Sequence, residues 1–179
     1  MSDFPNLITP GGNRGLLSPA GNTPLGRYMN LSGAGYSVTA TTWTANRAVY
    51  QPILIEAPIA LTMIAVRVQT QAGNYDSGIY NMENTRLVSL GSTAVPAAGW
   101  AQMNIVDTAL VPGWYKLAFA CDSSTAAFKG TAIAAGIMRV CGVQEQTSGA
   151  YALPATATPI AYATAVAPQI VLGFRSVGP

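Results

Sequence analysis

The sequence contains no histidine. Imidazole is the usual carrier of protons near neutral pH, so histidine-based acid–base or nucleophilic catalysis is excluded. Zinc sites draw on closely spaced Cys and His ligands, and the two cysteines, Cys121 and Cys141, form no CxxC pair. Charge is equally scarce. Charged residues make up 9% of the chain, against about 25% in ordinary soluble proteins. Lys116 and Lys129 are the only lysines, and Arg14, Arg27, Arg47, Arg67, Arg86, Arg139 and Arg175 stand singly. Neutralising phosphates takes a concentrated basic face, so no nucleic-acid partner is expected. Long apolar runs are missing as well. Residues 146–174 carry no charge, but Pro154, Pro159 and Pro168 interrupt them. A spanning helix needs about 20 mainly apolar residues, so no membrane partner is expected. The opening MSDFPNLITP has no basic segment leading into an apolar one. No secretory leader is therefore expected, and the chain is expected to stay or assemble in a cytosol.

What the chain does have is apolar content, at 50% of its 179 residues. That is enough for one sandwich domain with a sound core. With so few ions, the surface must consist largely of Ser, Thr, Asn, Gln, Gly, Ala and Pro. Neutral polar groups cost far less to desolvate than ions, so such a surface suits burial against other subunits. Cys121 and Cys141 lie in the apolar runs LAFAC and IMRVC. One disulfide is possible at this spacing, but buried free thiols are the favoured reading.

Two regions differ in texture. Residues 1–45 carry Pro5, Pro10, Pro19 and Pro24 and repeated glycines, a density that prevents long regular elements. They also carry apolar residues, including Phe4, Leu7, Ile8, Leu16 and Leu17. The expectation is an extended N-terminal arm that gains its apolar burial on another surface, this subunit's own sandwich or a neighbour's, with those five residues as docking contacts. Residues 46–179 are expected to form the β-sandwich domain. Within them, IALTMIAVRVQT (59–70) and WYKLAFAC (114–121) alternate with period two. SGIYNM, the turn ENT and RLVSL (77–90) read as a hairpin. Pro52 in VYQPILIE predicts an edge strand or a bulge. Strands are also expected at 38–43, 100–106, 160–166 and 169–175, and residues 133–143 suit a strand or a short helix. Many short strands with frequent turns, and no sustained helical pattern, predict an all-β fold, a sandwich or barrel.

The remaining chemistry is thin. The carboxylates are Asp3, Glu56, Asp76, Glu83, Asp107, Asp122 and Glu145. Glu83, Asp107 and Asp122 fall in or beside turns, where such side chains bond their own backbone. A hydrolase needs two facing each other across its substrate, and no such pair is marked, so no enzyme activity is expected. Asn74 and Asp76 in GNYDSG offer oxygen ligands for Ca²⁺, but a turn is the expected role and no metal or cofactor is implied. Trp43, Trp100 and Trp114 are expected in the core, with a sugar-stacking platform as the alternative.

Residues 74–122 carry a resemblance. Gly78-Ile79-Tyr80, the polar turn, Leu87-Val88, Gly99-Trp100, Leu110-Val111-Pro112-Gly113 and Trp114 to Ala120 follow one another. This series resembles a module of tailed-bacteriophage structural proteins, of the head-decoration or fibre type. The resemblance implies a jelly-roll-like β-sandwich, a homo-oligomer (a trimer favoured), a place in the virion, and other virion proteins such as the major capsid protein as partners. It carries over no catalytic, cofactor or metal residue. The alternative is a receptor- or carbohydrate-binding module of a tail fibre.

Overall fold

The structure, a computed structural model, describes residues 15–17, 38–132, 135–163, 166–168 and 170–176. The elements in chain order are β1 (Gly15–Leu17), β2 (Val38–Thr42), β3 (Arg47–Ile55), β4 (Ile59–Thr70), β5 (Asn74–Tyr80), β6 (Arg86–Ser89), β7 (Thr93–Ala94) and β8 (Gly99–Leu110). They continue with β9 (Gly113–Cys121), β10 (Ala127–Ala132), α1 (Ala135–Val140), β11 (Gln144–Gln146), β12 (Ile160–Ala161), β13 (Val166–Pro168) and β14 (Ile170–Ser176).

Two antiparallel sheets form a sandwich. In sheet A, β2, β10, β4 and β8 are neighbours in that order. In sheet B the order is β3, β9, β5, β6. Along the chain these eight strands change sheet at every step except β5 to β6. That is jelly-roll topology, a finer outcome than the sandwich or barrel expected from the strand pattern. The C-terminal strands are an addition. β10 and β4 pair only at Ala127–Thr70 and Phe128–Val68 and then diverge. β13 takes up β10, and β14 takes up β4 from Val66 to Ile59. β1 pairs with the far side of β14.

Alternation places one row of each strand between the sheets. Val49, Ile53, Leu61, Ile64, Val66, Ile79, Leu117, Phe119 and Phe128 belong to this core. Trp43 and Phe128 meet Phe119 edge-on, with ring centroids 4.8 and 4.7 Å away, a favoured aromatic geometry. The β5–β6 hairpin closes as its residues dictate. The Thr85 N–H donates to Asn81 Oδ1 at 2.8 Å, and Asn84 takes a left-handed φ of 68°, which Asn tolerates. Gly73 (φ 63°) is required where β4 turns into β5, since a Cβ there would lie 2.3 Å from Asp122 Oδ1.

Several expectations shift. β2 is a full member of sheet A, so the sandwich starts before residue 45. Asp107 lies inside β8, not after it, because that strand runs on to Leu110. Pro52 sits in an interior strand, paired with Lys116 of β9. On its other flank β11 has already ended opposite Tyr50, so Pro52 is placed where no donor is demanded. Within the 133–143 run, Ala135–Val140 form the short helix α1, which buries Met138. Of the strand expected at 160–166, the described residues give Ile160–Ala161, and Val166 begins β13.

Candidate functional site

The outer face of sheet B is built from small side chains. Ala48, Ala118 and Ala120 are fully buried there, flanked by Tyr50 and Tyr80, whose rings meet edge-on at 5.4 Å. What buries them is residues 147–159, a strap with no strand of its own, which lays Ala150, Leu153 and Ala157 on this floor. Consequently β9 is buried on both faces from Tyr115 to Cys121. The strap is fastened by polar contacts. The Leu153 N–H donates to Asp76 Oδ2 at 3.0 Å, and the Tyr80 hydroxyl donates to the Pro154 carbonyl at 2.5 Å. Arg86 donates through Nη1 to the Leu153 carbonyl and through its backbone N–H to the Ala155 carbonyl. Gln146 Oε1 accepts from Tyr50 Oη at 3.3 Å and from the Thr158 N–H at 3.0 Å.

This environment sets the electrostatics. Burial pushes the Asp76 carboxyl up from the ordinary range. The backbone N–H of Leu153, the nearby Arg86 charge and the Gly91 and Ser77 amides pull the other way. Burial also raises Tyr50 to about 12 and moves Tyr80 upward. Beyond the strap, Lys116 continues the outer row of β9. Its Nζ donates to Asn84 Oδ1 at 2.5 Å, and burial lowers its pKa. Trp114, two residues earlier on the same row, is 47% exposed and pairs across the sheet with Leu54.

The residues singled out from sequence are not brought together. Asn74 turns to Asp122, donating through its backbone N–H at 2.7 Å and its side-chain amide at 2.9 Å. Asp122 thus joins two turns across the sheet rather than bonding its own backbone. Asp76 faces the strap, so Asn74 and Asp76 do not form one ligand set. Among the described residues, no group of three or more Cys, Asp or Glu is arranged to hold a metal ion. Trp43 lies in the core, its Nε1 donating to the Arg47 carbonyl at 3.0 Å. Trp100 and Trp114 both depart from the expected core position: Trp100 is half-buried under Arg67, 5.9 Å from ring to guanidinium, and Trp114 is exposed. Both cysteines are free thiols, Cys121 buried and Cys141 half-buried. Of the docking residues, Phe4, Leu7 and Ile8 lie outside the described residues. Leu16 and Leu17 belong to β1, whose backbone pairs with Gly173 and Leu172.

Sequence reasoning passed over a second feature, the apolar side chains left in solvent. Val140 is 89% exposed, Val106 80% and Val111 66%, with Ile160, Ile137, Met82 and Leu87 half-exposed. Among the described residues, no helix is long and apolar enough to cross a membrane. Compared with protein-family models, with curated proteins and with solved structures, the chain matches none.

Proposed function

We propose that the chain is a structural subunit of a tailed-bacteriophage virion, a capsid decoration or head-fibre protein that works by packing against copies of itself and neighbouring virion proteins. The observation that carries this reading is the surface. Val140, Val106 and Val111 stand almost bare on a protein with only nine basic and seven acidic residues. A subunit working alone keeps apolar groups apart with a mixed, charged surface. A surface of neutral polar and apolar groups is cheap to desolvate, and so suits contact with other chains. A jelly roll supplies the rigid block such packing needs, and the resemblance of residues 74–122 favours a homotrimer seated on the major capsid protein. Light scattering on the purified chain tests the reading. A mass that is a stable multiple of 18.5 kDa is expected. A monomer throughout the micromolar range would overturn it.

Trp114 favours a second reading, a receptor- or carbohydrate-binding module at a fibre tip. Its ring is 47% exposed beside Leu54 and two residues from Lys116, which offers an apolar face with a polar neighbour. Quenching of tryptophan fluorescence by host polysaccharide, lost in Trp114→Ala, is the expected result. Identical quenching in the variant counts against this reading.

A further inference from the structure

We propose that residues 147–159 form a lid that lifts as one unit from the outer face of sheet B, with Asp76 as its latch. This motion is independent of the assembly reading above.

The strap is a loop closed at its own base. β11 and β12 pair at Gln144–Ala161 and Glu145–Ile160, and just beyond them the Thr158 N–H donates to Gln146 Oε1 at 3.0 Å. The chain thus leaves and returns through one neck, which is the form of an Ω-loop. Gly149, with a left-handed φ of 61°, lies where the chain leaves that neck. Past the neck the strap forms no strand, only an isolated bridge from Thr156 to Thr85. Its apolar hold is light. Ala150, Leu153 and Ala157 are buried on a floor of Ala48, Ala118 and Ala120, while Ala152, Ala155 and Thr156 are exposed. Apolar stabilisation scales with the area removed from water, and alanine on alanine removes little.

The polar hold is concentrated at one point. Asp76 accepts the Leu153 N–H, Arg86 donates to the Leu153 carbonyl, and Tyr80 donates to the Pro154 carbonyl. Backbone bonds to Asn46, Asn84 and Arg86 flank this grip. Asp76 is fully buried, and its Oδ1 has no hydrogen bond, although the Gly91 and Ser77 amides lie near. Ionised, this carboxylate is short of partners while the strap is down and regains water when the strap lifts. Protonated, it loses little by staying covered. The groups around it are Arg86 of β6, Tyr75 and Tyr80 of β5, Tyr50 of β3 and Tyr151 of the strap, while β9 opposes it with Ala120. Burial raises Tyr50 and Tyr75 to about 12 and moves Tyr80 and Tyr151 upward, so these hydroxyls stay neutral near pH 7. Asp76 is therefore the member of this set whose charge changes as pH rises from acid. The closed state holds its proton more tightly than the open state, so rising pH favours opening.

Amide hydrogen exchange of the full chain, read residue by residue by NMR, tests this without altering the protein. The amides of Ala150, Leu153, Ala157 and Arg86 all bond across the strap–sheet contact. They are expected to share one level of protection, about tenfold or more below that of the β9 amides. Low urea should leave their exchange nearly unchanged while it accelerates exchange in β9, because lifting a lid exposes far less surface than unfolding. Corrected for intrinsic rates, their protection should fall about tenfold per pH unit from about pH 4 to the raised pKa of Asp76, then level off. Asp76→Asn should remove that slope and leave the urea response as it was. Protection and urea dependence equal to those of β9 would overturn the lid, since the strap would then part from the sheet only on global unfolding. Four amides with unrelated levels would overturn movement as one unit. A pH slope that is absent in the unmodified protein, or that persists in Asp76→Asn, would overturn Asp76 as the latch.

Discussion

Arg47 and Glu145 form a buried ion pair, with 3.8 Å between Nη1 and Oε2 and both side chains nearly shut off from water. The Arg47 guanidinium also lies 4.6 Å from the Trp43 ring centroid, and Glu145 Oε1 accepts the Ala163 N–H at 3.0 Å. The pair therefore ties β3 to β11 and to the segment after β12. Removing one partner strands a buried charge, which typically costs about 3–5 kcal/mol. Glu145→Ala should lower the denaturation midpoint accordingly. The double change Arg47→Met with Glu145→Leu should recover most of the loss, since an apolar replacement avoids desolvating two ions. Urea titrations of the three proteins check both statements.

Asp76 predicts a pH dependence. Its folded pKa is raised by burial, so the folded state holds its proton more tightly than the unfolded chain does. Stability attributable to this group is therefore greatest in acid. It declines as pH rises from the ordinary carboxylate range through the raised value, and levels off above it. Asp76→Asn keeps an oxygen for the Leu153 N–H and carries no charge. Its melting temperature should exceed that of wild type at pH 7–8, and the difference should vanish below the ordinary carboxylate pKa of about 4. A variant less stable than wild type at pH 8 would mean that Arg86 and the surrounding amides outweigh burial.

How far this fold can be read in the sequence depends on where each strand gets its stability. β4, β9 and the β5–β6 hairpin announce themselves because alternation and turn chemistry are local properties. β10 does not. AFKGTA has two alanines, a glycine and a lysine, and β2, β4 and β13 impose its extended form through pairing. The strap was equally hidden. Its Ala, Thr and Pro residues have no period, and its role appears only when Asp76, Tyr80 and Arg86 are seen holding Leu153 to Ala155. For the same reason Ala118 and Ala120 do not reveal that β9 is buried on both faces. The Asp122–Asn74 contact joins residues 48 apart, beyond the reach of turn rules.

The two thiols should differ in reactivity. Cys121 is fully buried, and burial raises its pKa to about 11, so the reactive thiolate is scarce at pH 8. Cys141 is half-buried at the end of α1. One thiol should react with a maleimide in native protein and two after denaturation, with peptide mapping placing the early label on Cys141. Equal labelling of both in the native state would show that the core around Cys121 opens freely.

The arm prediction becomes sharper once β1 is seen on the sandwich. Residues 15–17 form three backbone pairs with β14, so one stretch of the arm lies on its own domain. The docking residues Phe4, Leu7 and Ile8 precede it. Deleting residues 2–14 therefore separates two roles that deletion of 2–35 would mix. If the arm anchors the subunit in particles, removing 2–14 leaves β1 paired and the melting temperature unchanged, yet abolishes incorporation. Deleting 2–35 should also leave a folded sandwich, because β2 and the core lie beyond the cut, but with a lower melting temperature. Loss of the three strand pairs with β14 sets a cost of about 1–3 kcal/mol, at roughly 1 kcal/mol for each backbone hydrogen bond. Thermal melts of the two truncated proteins, with their recovery in purified particles, decide the matter. Normal incorporation of the 2–14 deletion would remove Phe4, Leu7 and Ile8 from the anchor and leave packing of the sandwich itself to hold the subunit.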